Sequence, residues 1–449
     1  MKILFLLLVT CLISLESRAE FTPLFCPNGG FLSKLTEMIH DPSAKTIDIS
    51  MYSFGSSLTN PVLVALVDVK KNRPEVEIRL ILDKGNASAK PKTVTFLEEN
   101  GIDVRTVSKI NHHKFIIVNA PRCSSGTTCE FDPGQTKILS GSANFNENAD
   151  QKQDEASTFV ENEPSVAIQY DHSFSNGWNH SSDLGTALLP GTLPGNEAGP
   201  GPASSIDPSI LFTHDNFSVS NSTYKPNGKT LISDTVVELI KNAKHSIKLA
   251  QTHFRLKKVA LALLEKSKDP SISIMVYLDV QNFVSFKEMK EQQTTLQACA
   301  SKEICGETGI DWSWPLLFSL EDLSPRANQN ILIRYKFTGP KSATAPAPQM
   351  HSKYLIIDDS IVLTGSYNYS LNSELSSFED VILLNAASSS NQAETVNAFN
   401  ENFQNLWERN RDKIQEATTR LIEGRSLYDL PVSLDGKEIS EIWRNSRSN

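Results

Sequence analysis

The stretches HHKFIIVN at residues 112–119 and HSKYLIID at residues 351–358 decide the fold, because the second repeats the first. Each places a lysine two positions after a histidine and continues into an apolar run that is typical of a buried strand. Gly-Ser-x-Asn follows each stretch, at 141–144 and at 365–368. Matches that keep one order along the chain indicate a duplicated structural unit.

The duplication predicts two halves with a linker between them. Ten of the 28 residues in 181–208 are glycine or proline, which indicates a linker. We expect the halves at 20–180 and 209–411, an insertion in the second at about 282–329, and a tail at 412–449. Short β-branched runs alternate with helical patterns in each half, which predicts an α/β fold with mostly parallel sheets and helices on their faces.

Composition and the N-terminal residues predict an exported globular protein. The 449 residues are 39% hydrophobic and 21% charged, which excludes wholesale disorder. The net charge of −9 disfavours a general polyanion binder, although a local basic groove is compatible with it. Residues 1–19 have a charged start, an apolar core and a small-x-small end, which predicts a signal peptide and a secreted or periplasmic protein. A membrane anchor is the alternative, but we expect no transmembrane anchor in the mature chain.

The cysteines agree with export. Removal of the signal peptide leaves five, and four of them form two pairs that are six residues apart in loop-like sequence: Cys123 with Cys129, and Cys299 with Cys305. Oxidising compartments favour short local disulfides at such places, so we predict two. A zinc site is the alternative, but no Cys-x2-Cys spacing supports it. Cys26 is left as the odd thiol.

The repeated histidines and lysines predict a phosphate site. Residues two apart on a strand point to the same face, so His112 and Lys114 project into one site, as do His351 and Lys353. Two such half-sites facing each other fit the charges of a phosphoryl transition state. No carboxylate cluster of metal-binding type accompanies them. We therefore predict no metal and no other cofactor, with the lysines in the place of a divalent ion.

The residues after each motif complete the predicted site. Asn144 and Asn368 end the two Gly-Ser-x-Asn stretches and would bring an amide donor alongside the lysine. An acid lies eleven residues after each asparagine, namely Glu155 and Glu379. Such a carboxylate can accept a hydrogen bond from one nitrogen of a histidine, which fixes the tautomer and leaves the other nitrogen free to react.

The stretches at 112–119 and 351–358, each followed by Gly-Ser-x-Asn, resemble the paired HKD motifs of the phospholipase D superfamily. The resemblance covers both halves, over roughly 24–180 and 210–410. It implies two α/β/α sandwich halves that are related by a pseudo-twofold axis, with the active site at their interface. Because one chain carries both half-sites, we expect a monomer.

The resemblance also implies a mechanism. His112 would be the nucleophile that forms a covalent phosphohistidine, and His351 would be the general acid and then the base. The expected phosphate-binding residues are Lys114, Lys353, Asn144 and Asn368. Glu155 and Glu379 would orient the histidines. The expected supporting residues are Ser142, Ser366, Asp358 and Asn119.

Three further features carry specific expectations. Asn119 stands where the family motif usually has the aspartate that Asp358 keeps, which affects the tuning of the first half-site and not its chemistry. His113 points away from His112 and is expected to be a packing or edge residue. Trp312 and Trp314, in the insertion, are expected to form either a buried anchor or a lip that contacts lipid.

The motifs define the bond that is broken but not the groups beside it. An exported acidic enzyme with an apolar lip favours phospholipid at a membrane surface, hydrolysed to phosphatidate and a free head-group alcohol. A metal-independent secreted endonuclease of the same superfamily is the alternative, since 25–29 and 51–54 resemble the nuclease branch. An acidic surface weakens that alternative, because nucleic-acid binding then loses counterion release. An inactive binding module is disfavoured because every reactive residue is present.

Overall fold

A computed structural model gives the structure of the chain. It describes residues 20–27, 29–125, 128–184, 208–282, 330–339 and 348–447. The predicted signal peptide, most of the predicted linker and almost all of the insertion, with Trp312, Trp314, Cys299 and Cys305, lie outside the described residues. Among the described residues, no helix is long and apolar enough to cross a membrane.

The first half has eleven described strands and six described α-helices. Its strands are β1 (Glu20–Cys26), β2 (Thr46–Met51), β3 (Glu77–Leu82), β4 (Asp103–Thr106), β5 (Ile110–Asn111), β6 (Lys114–Val118), β7 (Cys123–Ser125), β8 (Thr128–Cys129), β9 (Lys137–Gly141), β10 (Glu155–Glu161) and β11 (Ser182–Asp183). Its helices are α1 (Phe31–Ile39), α2 (Pro61–Asn72), α3 (Lys84–Ala89), α4 (Pro91–Glu99), α5 (Glu147–Gln151) and α6 (Pro164–Asn179).

The second half, together with the predicted tail at 412–449, has eleven described strands and six described α-helices. Its strands are β12 (Ser209–Phe212), β13 (Phe217–Ser220), β14 (Thr223–Pro226), β15 (Ser246–Gln251), β16 (Ser273–Asp279), β17 (Ile331–Phe337), β18 (Lys353–Ile357), β19 (Ile361–Gly365), β20 (Ser377–Phe378), β21 (Asp380–Asn385) and β22 (Val432–Leu434). Its helices are α7 (Leu231–Asn242), α8 (Lys257–Lys266), α9 (Leu371–Leu375), α10 (Ser390–Trp407), α11 (Ile414–Ile422) and α12 (Gly436–Arg447).

Each half is built on an eight-stranded sheet, and the two sheets have the same strand order. The first is β1-β10-β9-β6-β2-β3-β4-β11, and the second is β12-β21-β19-β18-β15-β16-β17-β22. The predicted α/β class and the duplicated halves are therefore confirmed. The sheets are mixed, however, because only two of the seven strand pairings in each sheet are parallel.

The motif strands explain why the sheets are not mostly parallel. β18 is joined to β19 by the three residues 358–360, and the two strands pair antiparallel. So short a connection can join only antiparallel neighbours, since a parallel pair needs a crossover of a dozen or more residues. β6 and β9 also pair antiparallel, with the disulfide Cys123–Cys129 between β7 and β8 inside their connection. That disulfide agrees with the prediction, and Cys26 is a free, buried thiol.

The buried apolar residues form three cores, and one of them joins the two halves. One core lies within each half, and a third contains buried residues of both, such as Phe115 and Phe174 from the first half and Tyr354 and Phe403 from the second. The longest described helix of each half, α6 or α10, supplies much of this shared core. The pattern Phe-x3-Trp places both aromatic rings of each helix on its buried face. The interface between the halves is thus a packed core with the motif strands beside it.

Candidate active site

Each predicted histidine is attached to the backbone of the other half. His112 N–H donates to the carbonyl of Phe378 at 3.1 Å, and His351 N–H donates to the carbonyl of Asp154 at 2.8 Å. Beside the first contact, β5 pairs with β20 across the interface. These backbone bonds bring the two motifs together at the junction of the halves.

The two histidine–glutamate pairs are crossed between the halves. His112 Nδ1 lies 2.8 Å from a carboxylate oxygen of Glu379, and His351 Nδ1 lies 2.8 Å from one of Glu155. Both glutamates are buried. The sequence predicted glutamate partners for the histidines without saying which partner belongs to which. The structure shows that each half supplies the carboxylate that orients the other half's histidine.

The Gly-Ser pair before each asparagine supports the glutamate of its own half. Ser142 Oγ donates to Glu155 at 2.5 Å, and Ser366 Oγ donates to Glu379 at 2.6 Å. Glycine precedes each serine because a Cβ at Gly365 would collide with the carbonyl oxygen of Asp380, and the same holds in the first half. The close approach of the backbones places each serine under its glutamate.

Both motif lysines are buried beside their histidines. Lys114 Nζ donates to the carbonyl of His112 at 2.6 Å, and Lys353 Nζ donates to that of His351 at 2.5 Å. Burial lowers the pKa of Lys114 to about 8 and that of Lys353 to about 7. Among the described residues, no group of three or more histidine, cysteine, aspartate or glutamate side chains is arranged to hold a metal ion.

Burial and charge act alike on the two histidines. Burial, followed by the charges of both motif lysines, lowers the pKa of His112 well below its usual value, and the same causes lower the pKa of His351. Burial raises the pKa of Glu155 and of Glu379, in each case to about 8, against the opposing effect of a nearby lysine. Each histidine and its glutamate therefore share the proton on the short bond at Nδ1, and the charge of the pair depends on whether Nε2 carries a second proton.

The two asparagines follow the strands that carry the serines. Asn144 comes after β9 and Asn368 after β19, and each has a buried Oδ1 that accepts no hydrogen bond from the described residues. Asn368 lies in the wall of a cleft of about 600 Å³ that also reaches His112. Of the two asparagines, Asn368 thus lines the cleft beside this histidine.

Asn119 and Asp358 lie at the far end of the motif strands. Each follows a strand of five residues that begins with the lysine, so it is about 17 Å along the strand from the lysine. Both have positive φ, 58° and 52°, in the turn after the strand. Asn119 Oδ1 accepts from the N–H of Lys45 at 2.8 Å, whereas Asp358 accepts from three consecutive backbone N–H groups. An amide oxygen is enough for the single contact in the first half.

His113 packs at the junction of the two halves. It is buried, and its Nδ1 lies 2.8 Å from Asp380 of the other half. The same carboxylate accepts from Ser140 Oγ at 2.5 Å and from Tyr170 OH at 3.0 Å. Asp380 directly follows Glu379, so these contacts fix the position of the backbone that presents the Glu379 carboxylate. His113 is therefore a buried packing residue, as predicted, and its hydrogen bond to Asp380 is the additional finding.

A second aspartate between the halves, Asp154, was not predicted from the sequence. It precedes Glu155, and its carboxylate lies 3.0 Å from Lys336 Nζ and 2.6 Å from an Arg409 nitrogen, both in the second half. Burial would raise the pKa of Asp154, but the two cations hold it below the usual value. The sequence does contain a signal for these aspartates, because one adjoins each predicted glutamate. The partners of the aspartates, however, lie far away in the sequence.

The two half-sites also differ at the residue that follows β2 in the first half and β15 in the second. Tyr52, at the end of β2, packs edge-on against His112 with ring centroids 4.8 Å apart. In the second half, Thr252 follows β15 in the equivalent position, and its Oγ1 accepts from Lys353 Nζ at 3.0 Å. The aromatic wall is therefore on the side of His112.

Comparison with known proteins places this site in a family. The family described as cardiolipin synthase, PLD-like domain, matches residues 35–178 and 236–407, which is more than half of the chain and includes both motifs. A search of curated proteins found no match.

Two solved structures with TM-scores above 0.5 share the two-half fold. Phosphatidylserine synthase from Haemophilus influenzae Rd KW20 is 11% identical, with a TM-score of 0.55 over 87% of this chain and 86% of that one. Polyphosphate kinase from Porphyromonas gingivalis is 11% identical, with a TM-score of 0.52 over 84% of this chain and 46% of that one, so this chain spans about half its length. Nuc from Salmonella typhimurium, a phospholipase D family member, is 23% identical, with a TM-score of 0.31 over 37% of this chain and 99% of that one. At 11% identity, the similarity to the phosphatidylserine synthase and to the polyphosphate kinase shows the fold alone.

Proposed function

We propose that this chain, which belongs to the family of PLD-like domains, is a phosphodiesterase that hydrolyses the head-group phosphodiester of phospholipids. The products are phosphatidate and a free alcohol, and the intermediate is a covalent phosphohistidine. We further propose that one chain forms the complete enzyme and that it acts after export through the N-terminal signal peptide at 1–19.

The crossed histidine–glutamate pairs are the observation that carries this proposal. Each glutamate accepts from Nδ1, which leaves Nε2 of His112 and of His351 to face the reacting phosphate. One imidazole can attack while the other donates a proton. Lys114 and Lys353 lie two residues away and supply positive charge for the non-bridging oxygens.

In the first step, Nε2 of His112 attacks phosphorus as the bond to the head-group oxygen breaks. His351 gives the proton on its Nε2 to that oxygen, so the alcohol leaves neutral. In the second step, His351 takes a proton from water, whose oxygen attacks phosphorus. The nitrogen–phosphorus bond breaks, phosphatidate leaves, and His351 is protonated again. Glu379 stabilises the positive charge on His112 in the first step, and Glu155 does the same for His351.

The choice of phospholipid over nucleic acid is supported by charge and by the cleft. The whole chain carries a net charge of −9, which opposes the binding of a long polyanion. Of the described residues that line the cleft, Arg255 is the one with a permanent positive charge. Ile110 and Leu371 in the same wall are apolar and exposed.

A direct comparison of substrates tests the proposal. We expect purified protein in EDTA to release choline from phosphatidylcholine vesicles at a rate at least tenfold above its cleavage of plasmid DNA at equal phosphodiester concentration. The matched control is His351→Gln, which should abolish the release of choline. DNA cleavage that outpaces lipid hydrolysis and needs His351 would establish the endonuclease alternative, and a requirement for an added divalent ion would contradict the role given to the lysines.

A further inference from the structure

The cleft beside His112 has apolar side chains that the two chemical steps do not use. Ile110 is 36% exposed and Leu371 is 43% exposed, and both line the cleft with Leu375 and Tyr52. Only seven large hydrophobic side chains of the described residues are exposed. Two of the seven therefore lie in the wall of a single cleft that ends at a catalytic histidine.

The position of this cleft restricts what it can bind. An attacking nitrogen and a leaving oxygen lie on opposite sides of phosphorus, roughly in line. With His112 as the nucleophile, the head-group alcohol leaves on the side of His351, away from His112. The third substituent of the phosphorus, which stays on the product, is the one free to extend sideways into a cleft that reaches His112.

We propose that this cleft is the binding site for the retained diacylglycerol part of the substrate. Ile110 and Leu371 contact the first methylenes of the acyl chains, and Tyr52 contacts the glycerol. The inference rests on the proposed function and adds which side of the phosphodiester the protein recognises. The apolar side chains of Ile110, Leu371 and Leu375 suit acyl chains, and a nucleotide strand in the same place would bring further phosphates to a lining with one permanent cation, Arg255.

Leu371 begins the helix α9, which is held firmly enough to form such a wall. Ser370 caps α9 by accepting from the N–H of Ser373, and Glu374 is buried. Arg255 N–H donates to the carbonyl of Tyr369 at 2.7 Å, which joins another part of the cleft lining to the residues just before α9. A change at Leu371 alters the surface of the wall and leaves these bonds in place.

The test compares two soluble diesters that share the same head group. Monomeric dihexanoylphosphatidylcholine has acyl chains, and glycerophosphocholine has none. We expect the wild-type protein to favour the acylated substrate in kcat/KM by at least about 20-fold. Leu371→Ser should reduce this ratio about fivefold, since it removes roughly half of a leucine's apolar contact, whereas Leu371→Met should keep it.

Leu261→Ser is the matched control, because Leu261 is also 43% exposed but lies on α8, outside the cleft lining. It should leave the ratio unchanged, and circular dichroism should show that all variants are folded. Hydrolysis of both diesters with a ratio near one, or equal effects of Leu261→Ser and Leu371→Ser, would overturn the subsite and keep the proposed function. Hydrolysis of neither diester would overturn the proposed function, and the subsite with it.

Discussion

Replacement of Glu155 by glutamine should damage the histidine of the other half. Glu155 lies on β10 of the first half, yet both of its oxygens lie within 2.9 Å of His351 Nδ1. Glutamine keeps the shape and removes the negative charge. A hydrogen bond to a charged group contributes about 1.5–3 kcal/mol, which corresponds to about 10- to 100-fold in rate when it is lost. We expect that loss in the step that needs His351 as a base.

The kinetic signature follows from the order of the steps. With a p-nitrophenyl diester the leaving group departs without an acid, so attack by His112 should persist in Glu155→Gln. Release of p-nitrophenol should then show a rapid burst of about one equivalent, followed by a steady rate about 10- to 100-fold below wild type. Glu379→Gln should instead slow the burst itself, because Glu379 orients the nucleophile.

Stopped-flow absorbance and intact mass spectrometry measure the burst and the phosphoenzyme. Glu161→Gln is the matched control, since Glu161 ends the same strand β10 and pairs with Glu20 at the sheet edge. It should behave as wild type. A slow burst in Glu155→Gln together with an accumulated phosphoenzyme in Glu379→Gln would show that the glutamates act within their own halves or that the histidine roles are reversed, and would refute the crossed assignment.

Three other outcomes are expected. Because burial places the pKa of Lys353 near 7 and only its protonated form attracts phosphate, kcat/KM should fall as pH rises above about 7, and Lys353→Arg should move that limb upward by at least one pH unit in any variant that retains activity. Asp154→Asn leaves the buried charge of Lys336 without its carboxylate and should lower the free energy of unfolding in urea by about 3 kcal/mol, whereas an unchanged value would contradict the role given to this ion pair. Reduction of Cys123–Cys129 should cost about 2 kcal/mol locally and raise hydrogen exchange in β7 and β8 without unfolding the halves, and global unfolding would contradict this.

The sequence was informative where the chemistry depends on local spacing. The duplicated His-x-Lys predicted that histidine and lysine share a face, and each lysine does begin a buried strand with its ammonium group at the histidine carbonyl. Gly-Ser-x-Asn likewise predicted supporting serines. Ser142 and Ser366 contact the expected glutamates because each serine directly follows a strand, β9 or β19, that pairs with the strand at whose start the glutamate lies, β10 or β21.

The sequence was silent where the structure depends on packing between the halves. A pseudo-twofold interface allows Glu155 to meet either histidine, and only the docking of the two sheets selects His351. The same holds for His113, whose partner Asp380 is 267 residues away. The prediction of mostly parallel sheets failed for a different reason. An alternation of strands and helices favours parallel pairing, but the three residues 358–360 are too few for a crossover and allow only an antiparallel neighbour.

The identity of the phosphorylated residue tests the central claim most directly. Wild-type protein and the variants His112→Gln and His351→Gln would be mixed with a p-nitrophenyl diester, quenched in alkali within milliseconds and analysed by peptide mass spectrometry. We expect a phosphoryl adduct on His112 in the wild type, a larger amount on His112 in His351→Gln, and none in His112→Gln. An adduct on His351 in the His112→Gln protein, with none on His112 in the reverse variant, would contradict the roles assigned to the two halves.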